Sequence, residues 1–428
     1  VKKLKISWFP KILMESSELN EIELSLNAGK SLILNSPAEI KVISGDVEIW
    51  GASISSEIRI EERKIPLLIE SISNSRLLIR SKSHPAETKI PDSWREVEKA
   101  VDSGITVFIG ASDSGKSSII AYLANKLVAR GLRVGIVDSD IGQKDIGPVG
   151  TISSAVFSDL PIIPWLKEPD KMYFIGDKTP RGHLLPMVVG VRMLADMTKA
   201  DAILVNTTGY VSDDAAVELK LRKIENLRPD RVVGIDDGSL GDLLSRIPPY
   251  VKKIRIRAPD EIRKKGVAER MERRRINIGR YLNNSDQVEL DINSLFIQWS
   301  PLGGGNIGNE TLGFLSKELG VRAICGHEGP SFVYLLTESC PDAERIRKIE
   351  MLTGKRMKTE AVSDYMNLYV GLLDEQGLCE GVGLLKGISE GKIRVLTKCD
   401  KRPDGLRFGF IKFSDQGFEI GRRRVCRS

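Results

Sequence analysis

Between Gly110 and Ser117 the chain reads Gly-Ala-Ser-Asp-Ser-Gly-Lys-Ser, which fits G-x-x-x-x-G-K-[ST]. The apolar run Ile105–Ile109 leads into it and the helical pattern Ser117–Leu127 follows. A strand, a glycine-rich turn and a helix in that order leave few folds open. The glycines let successive backbone N–H groups face one point, and the following helix aims its positive end at the same place. The context predicts a nucleoside triphosphate site at the carboxyl edge of a parallel sheet. Gly110, Ala111, Ser112, Asp113, Ser114, Gly115 and Ser118 would wrap the phosphates. Lys116 would reach the β- and γ-phosphates, and Ser117 would hold Mg²⁺ through its hydroxyl.

The surrounding text agrees with an α/β core. Further apolar runs at Val134–Val137, Ala202–Val205 and Arg231–Ile235 alternate with helix-like segments. That alternation predicts a parallel sheet covered on both faces. Residues 1–92 read differently, as short strands forming a small β-sandwich or barrel, with Ile40, Val42 and then Val47, Ile49 alternating about the Gly45-Asp46 turn. Polar, proline-containing text from Ser81 to Asp92 reads as a linker. The expected division is therefore a β domain at 1–92, a nucleotide-binding domain at 93–298 and a β-rich domain at 299–428. Gly303-Gly-Gly-Asn-Ile-Gly308 also satisfies G-x-G-x-x-G, but lacks a recognisable helix after it and the βαβ unit of a dinucleotide site. It reads as a turn.

Composition excludes several classes. An apolar fraction of 41% with 29% charged residues suits buried cores, not a disordered chain. Cys325, Cys340, Cys379, Cys399 and Cys426 form no C-x-x-C pair, and with only three histidines the chain lacks the spacing of a Cys/His zinc site. Reduced thiols in a cytoplasmic protein are expected. The opening VKKLKISWFPKILM starts like a secretory leader, but Pro10 and Lys11 break its apolar run. No membrane segment is expected.

The second core strand ends in Asp138-Ser-Asp140-Ile-Gly-Gln143. Carboxylates at i, i+2 on a strand share a face, and at this sheet edge they would point into the phosphate crevice. One can bind a water of Mg²⁺ and the other can accept the proton of an attacking hydroxyl.

With Pro148-Val-Gly150-Thr151 after it, this segment resembles the D-x-D-x-G-Q…P-G-T signature of the polynucleotide 5′-hydroxyl kinases, a family that includes archaeal RNA kinases and the kinase subunits of RNA-processing complexes. Asn206-Thr207-Thr208-Gly209-Tyr210 resembles that family's N-T-x-G-W clasp, with Tyr in place of Trp. Arg270 to Tyr281 resembles its arginine-rich lid, ending in Tyr281-Leu282 where an aromatic pair is usual. The resemblance implies ATP as phosphate donor, Mg²⁺, and the 5′-hydroxyl end of RNA or DNA as acceptor. It places Gln143, Thr207, Thr208, Gly209 and Tyr210 at the substrate end and Arg270 and Arg274 over the transferred group.

Charge distribution supports a polyanion. The net charge is only +6, yet Glu261–Tyr281 holds eight Lys/Arg, including Arg263, Lys264 and Lys265, against three Glu. Arg270 and Arg274, four apart, share one helix face. The expected chemistry is transfer of the ATP γ-phosphate to a 5′-hydroxyl. Lys116 would hold the phosphates, Asp138 would join Ser117 at Mg²⁺, and Asp140 would act as base. Two alternatives stand beside it. One is an ATP-bound scaffold in an RNA-processing assembly. The other is a switch ATPase, which would usually carry a lysine where Ala111 and Ser112 stand. Arg181 and His183, between the second and third strands, read as a surface loop with a weaker claim on substrate; Trp165 and Phe174 read as core.

Overall fold

The computed structural model describes residues 19–60, 66–160, 163–258, 265–303, 307–389 and 391–424. The leader-like opening, Arg263, Lys264 and Cys426 lie outside them. The chain divides into two compact units: residues up to Trp94 with a short stretch around Asp159, and the remainder.

The first unit is built from two antiparallel sheets. One orders Asn20–Leu26, Ser75–Ser81, Ala38–Ser44 and Glu57–Ile60; the other orders Ala52–Ile54, Val47–Ile49, Pro66–Ser71, Ser31–Asn35 and Ala86–Thr88. Period-two patterning makes them: in Ser75–Ser81, Leu77 and Ile79 point inward. The alternate residues Arg76 and Arg80 pair outside with Glu23 and Glu21. The Gly45-Asp46 turn joins strands of different sheets and is not a hairpin tip.

The second unit centres on a seven-stranded sheet in the order Lys171–Phe174, Thr151–Phe157, Val134–Ser139, Ala202–Thr207, Gly104–Gly110, Arg231–Asp236, Lys252–Arg257. Five neighbouring strands are parallel, four of them the apolar runs read from the sequence and the fifth, Lys252–Arg257, not read there; Thr151–Phe157 runs antiparallel to its neighbour on each side. Thr151–Phe157 was not legible as a strand because Ser153 and Ser154 sit buried in it. Helices Lys116–Ala129, Leu184–Met197 and Asp214–Leu227 belong to the same unit, and residues of the last two enter the apolar cluster on the sheet's strands.

A second sheet in this unit orders Asp286–Asp291, Lys392–Thr397, Cys379–Ser389, Leu368–Leu373, Gly405–Phe413 and Phe296–Gln298. It is β-rich as expected and packs against the first: Tyr369 donates to the Val149 carbonyl at 2.9 Å, and its ring lies 5.2 Å from that of Phe174. Phe174 is core, as read from the sequence. Helix Val267–Leu282 inserts Ile278 and Leu282 into this shared apolar cluster.

A small three-stranded sheet (Ala323–Glu328, Phe332–Thr337, Arg356–Ala361) accompanies helices Asn309–Leu319 and Ala343–Thr353. The first of these does open directly after Gly308, contrary to expectation, because Gly313 and polar text blurred its period. The strand before it, Phe296–Gln298, belongs to another sheet, so no dinucleotide βαβ unit results. Cys325, Cys379 and Cys399 are free thiols, whereas Cys340 is disulfide-bonded, against the expectation of thiols throughout. No helix among the described residues is long and apolar enough to cross a membrane.

Candidate functional site

Three adjacent parallel strands set the site. Val134–Ser139, Ala202–Thr207 and Gly104–Gly110 lie side by side, with Ser139 opposite Thr207 and Phe108 opposite Asn206. Their carboxyl ends therefore deliver the acidic segment, the clasp-like segment and the glycine-rich loop to one edge.

The loop turns on Gly115, whose φ of 94° lies in the left-handed region, and the helix begins at Lys116. The Lys116 ammonium is buried and donates to the carbonyls of Gly110 (2.9 Å) and Ala111 (2.7 Å), within reach of Ser114 Oγ at 3.5 Å. Burial lowers its pKa to about 8, and the charges of Asp140, Asp113 and Asp145 work against that fall. A cation facing three carboxylates in a cradle of backbone groups suits a polyphosphate brought in with a divalent ion.

The acidic segment separates into three roles. Asp138, expected to face Mg²⁺, is instead enclosed. It accepts from the N–H groups of Asp140 (3.1 Å), Asp145 (2.9 Å) and Ile146 (3.1 Å) and from the Asn206 amide (3.2 Å), and pairs with the fully buried Lys144 at 3.1 Å. Both oxygens are engaged, so this carboxylate shapes the loop around it. In Asp140, one oxygen accepts from the Gly142 and Gln143 N–H groups, each at 3.0 Å. Burial and the charge of Asp138 raise its pKa, against the pull of Lys116. Asp145, missed in the sequence, lies beside the Ser117 hydroxyl and accepts from Trp165 Nε1 at 2.7 Å. Its pKa too is raised by burial and by Asp138. Trp165 is thus a partner of this carboxylate, not core.

The clasp-like segment is pinned from below. Thr207 is buried and donates to the Phe108 carbonyl at 2.7 Å, which ties two strands together and turns its hydroxyl from the crevice. Thr208 Oγ1 lies 3.0 Å from the buried Lys220 ammonium. Gly209 touches the glycine-rich loop: a Cβ there would come within 2.4 Å of Ser112 N, so any side chain would drive the two segments apart. Tyr210 packs on the core, with its phenol between the Asp213 carboxylate and the Arg181 guanidinium. Arg181 itself pairs with Asp213 at 2.6 Å, which brings its loop to the clasp. His183 points elsewhere, to Asp177 at 3.0 Å.

The basic helix Val267–Leu282 reaches the loop by its first turn. The Asp113 carboxylate accepts from Arg270 Nη2 at 2.7 Å, from Lys265 Nζ at 3.2 Å and from the Lys265 N–H at 3.2 Å. Burial would raise the Asp113 pKa; the two cations hold it low. Arg270 Nε is buried without a hydrogen-bond partner among the described residues. Arg274 is half-buried and its pKa is lowered, by burial first and then by the charge of Arg270 against the pull of Glu419. Arg275 pairs within its own helix with Glu272, and Arg280 with Glu168. Farther along, Asn277 donates to the Gly147 carbonyl (3.0 Å) and accepts from the Val149 N–H (2.8 Å), stitching the helix to the loop after Asp145.

The family model of the P-loop of the mRNA cleavage and polyadenylation factor CLP1 matches residues 110–284. A polyribonucleotide 5′-hydroxyl-kinase of Pyrococcus horikoshii is 34% identical over 334 residues, 74% of this chain and 87% of the relative. Counterparts from Thermococcus kodakarensis (31%, covering 73% of this chain and 89% of the relative) and Methanocaldococcus jannaschii (31%, 74% and 88%) carry the same name. Among solved structures, Clp1p in complex with Pcf11p superposes with a TM-score of 0.63 at 14% identity, covering 92% of this chain and 98% of that one. That likeness concerns the fold.

Proposed function

The chain belongs to the polyribonucleotide 5′-hydroxyl-kinase family, and from that premise we propose how its site transfers the γ-phosphate of ATP to the 5′-hydroxyl of a polynucleotide, RNA before DNA. The observation that carries the reading is the convergence of Lys116, Asp140 and Arg270 on one sheet edge. The chain thereby sets a phosphate-binding cation, a free carboxylate oxygen and a lid arginine around a single crevice.

Lys116 and the loop amides would hold the β- and γ-phosphates, the ammonium leaving its own carbonyls for stronger anionic acceptors. Asp140 takes the 5′-hydroxyl proton. Its raised pKa brings it nearer the working pH, where a base is most effective. Arg270, with its unpartnered Nε, and Arg274 cover the transferred group, whose charge in a loose transition state rewards such contacts. Thr208 and Tyr210 grip the terminal nucleotide, Tyr210 through a stacking face. Gln143, whose N–H meets Asp140, would serve the same end.

Mg²⁺ fits these residues, because Ser117 and the Asp145 carboxylate already meet and neither Asp145 nor Asp140 has an ion-pair partner among the described residues. It would supply charge neutralisation between the phosphates. Within this reading its carboxylate partner is Asp145, with Asp138 acting from behind.

The test is transfer from γ-labelled ATP to a short 5′-hydroxyl RNA, beside the same RNA bearing a 5′-phosphate. Label on the first alone is expected. ATP hydrolysis indifferent to RNA would refute the reading, and near-original transfer by Asp140→Asn would refute its choice of base.

A further inference from the structure

Helix Asp214–Leu227 buries Ala216, Leu219, Lys220, Lys223, Ile224 and Leu227. That is an unbroken helical stripe with two lysines where leucines would be ordinary. Each lysine is 1% exposed. Replacing a buried charge by an apolar side chain of similar size is often neutral or stabilising for a fold, so packing does not explain two of them.

Their contacts show what they hold. Lys220 Nζ donates to the Thr208 carbonyl at 2.6 Å and lies 3.0 Å from the Thr208 hydroxyl. Neither partner is charged. Lys223 Nζ is 2.9 Å from Ser139 Oγ, and that hydroxyl donates to the Asn206 carbonyl at 2.7 Å. One turn apart, the two ammonium groups rise through the floor of the site. One meets the clasp-like segment; the other meets the residue between Asp138 and Asp140. The helix that carries them is fixed at its start by Asp213, which caps Ala216 N–H at 2.9 Å.

We propose that Lys220 and Lys223 are positioning residues for phosphoryl transfer, Lys220 setting the clasp that receives the polynucleotide end and Lys223 setting the strand end that presents Asp140. The inference rests on the functional reading above and deepens it. Neither lysine has a place in the chemistry itself. Each acts through one backbone segment, and the two segments serve different parts of the reaction. Burial depresses both amines, Lys220 further by the charges of Lys223 and Lys116, and Lys223 to about 7.

The division of labour is testable by steady-state kinetics on the full chain, with γ-labelled ATP and a 5′-hydroxyl RNA. Lys220→Met should raise KM for RNA about tenfold and leave kcat and ATP affinity within about threefold, because only the substrate grip is loosened. Lys223→Met should lower kcat about tenfold at unchanged KM for RNA, because the base is misplaced while the grip stays intact. Should either methionine variant fail to fold, the contact is weakened from its other end. Ser139→Ala removes the hydroxyl that Lys223 meets and should reproduce the kcat effect, and Thr208→Val, which removes the hydroxyl but keeps the carbonyl that Lys220 also holds, should reproduce part of the KM effect. Both variants changing the same parameter in the same proportion would show general loosening and overturn the proposal, as would no change in either. Wild-type transfer with insensitive variants overturns this inference alone. A wild-type chain that transfers no phosphate overturns the functional reading and this one with it.

Discussion

Asp113 occupies the fourth position of the glycine-rich loop, yet its carboxylate belongs energetically to the lid. It takes Arg270 Nη2 at 2.7 Å on one oxygen and Lys265 Nζ at 3.2 Å on the other. A hydrogen bond between charged groups contributes about 1.5–3 kcal/mol when shielded. The side chains of Arg270 and Lys265 are 31% and 32% exposed, so solvent screens both. Discounting accordingly leaves about 1 kcal/mol for Arg270 and about half that for Lys265. A total near 1.4 kcal/mol is about a tenfold change in an equilibrium, here between a lid whose first turn is docked on the loop and one that is not.

Asp113→Asn removes the charge while keeping size and an acceptor for the Lys265 N–H. Amide hydrogen exchange in the nucleotide-free protein reads the consequence. Protection over residues 267–273 should fall about tenfold. Amides at 278–282 should not change, because Ile278 and Leu282 are held in the apolar cluster with Tyr369 and Phe174. Adding ATP should restore part of the loss, since phosphate gives Arg270 another anionic partner. In a double-mutant cycle with Arg270→Gln, the two substitutions should be strongly non-additive. An unchanged exchange rate at 267–273, or an equal fall at 278–282, would refute the idea of a lid anchored at one end and latched at the other.

Three further outcomes follow from the same geometry. Lys116, at about 8 in the free protein, should be drawn up by bound phosphate. ATP binding at pH 8 should then take up roughly half a proton, seen as a dependence of calorimetric enthalpy on buffer ionisation; identical enthalpies in all buffers would contradict it. Lys144→Met leaves the buried Asp138 carboxylate without its cation and should destabilise the second unit by about 3 kcal/mol in urea unfolding. A loss under about 1 kcal/mol would mean that the four N–H donors suffice. Asp145→Asn should raise the Mg²⁺ concentration needed for half-maximal transfer about tenfold while metal-free nucleotide binding stays put. An unaltered Mg²⁺ dependence would return the metal partnership to Asp138 or Asp140.

What could be read from the chain before its structure depended on whether a residue's role was local. The loop was legible because Gly110, Gly115, Lys116 and Ser117 do their work within eight residues of one another, between a strand and a helix that each announce themselves. Four of the five parallel strands were legible for the same reason, and the fifth, Lys252–Arg257, was hidden by its run of Lys and Arg. Roles that depend on distant partners were not. Asp138 and Asp140 are equivalent in the sequence, two carboxylates at i, i+2. Only the fold shows that Asn206, Lys144 and three backbone N–H groups close around the first. Thr207 and Thr208 look interchangeable until one is seen to bond a neighbouring strand and the other a lysine.

Lys220 and Lys223 did leave a trace: they fall on the apolar stripe of their helix, where a lysine is out of place. That signal is general. A charged residue at a position that periodicity assigns to the core costs stability unless something rewards it, and the reward is found by asking what its tip can reach. Here the tips reach the two segments whose sequence already suggested chemistry. The misfit in the pattern and the functional motifs are therefore one feature seen from opposite sides. A search that scored only conventional motifs would have found the walls of this site and missed the two side chains that hold them in place.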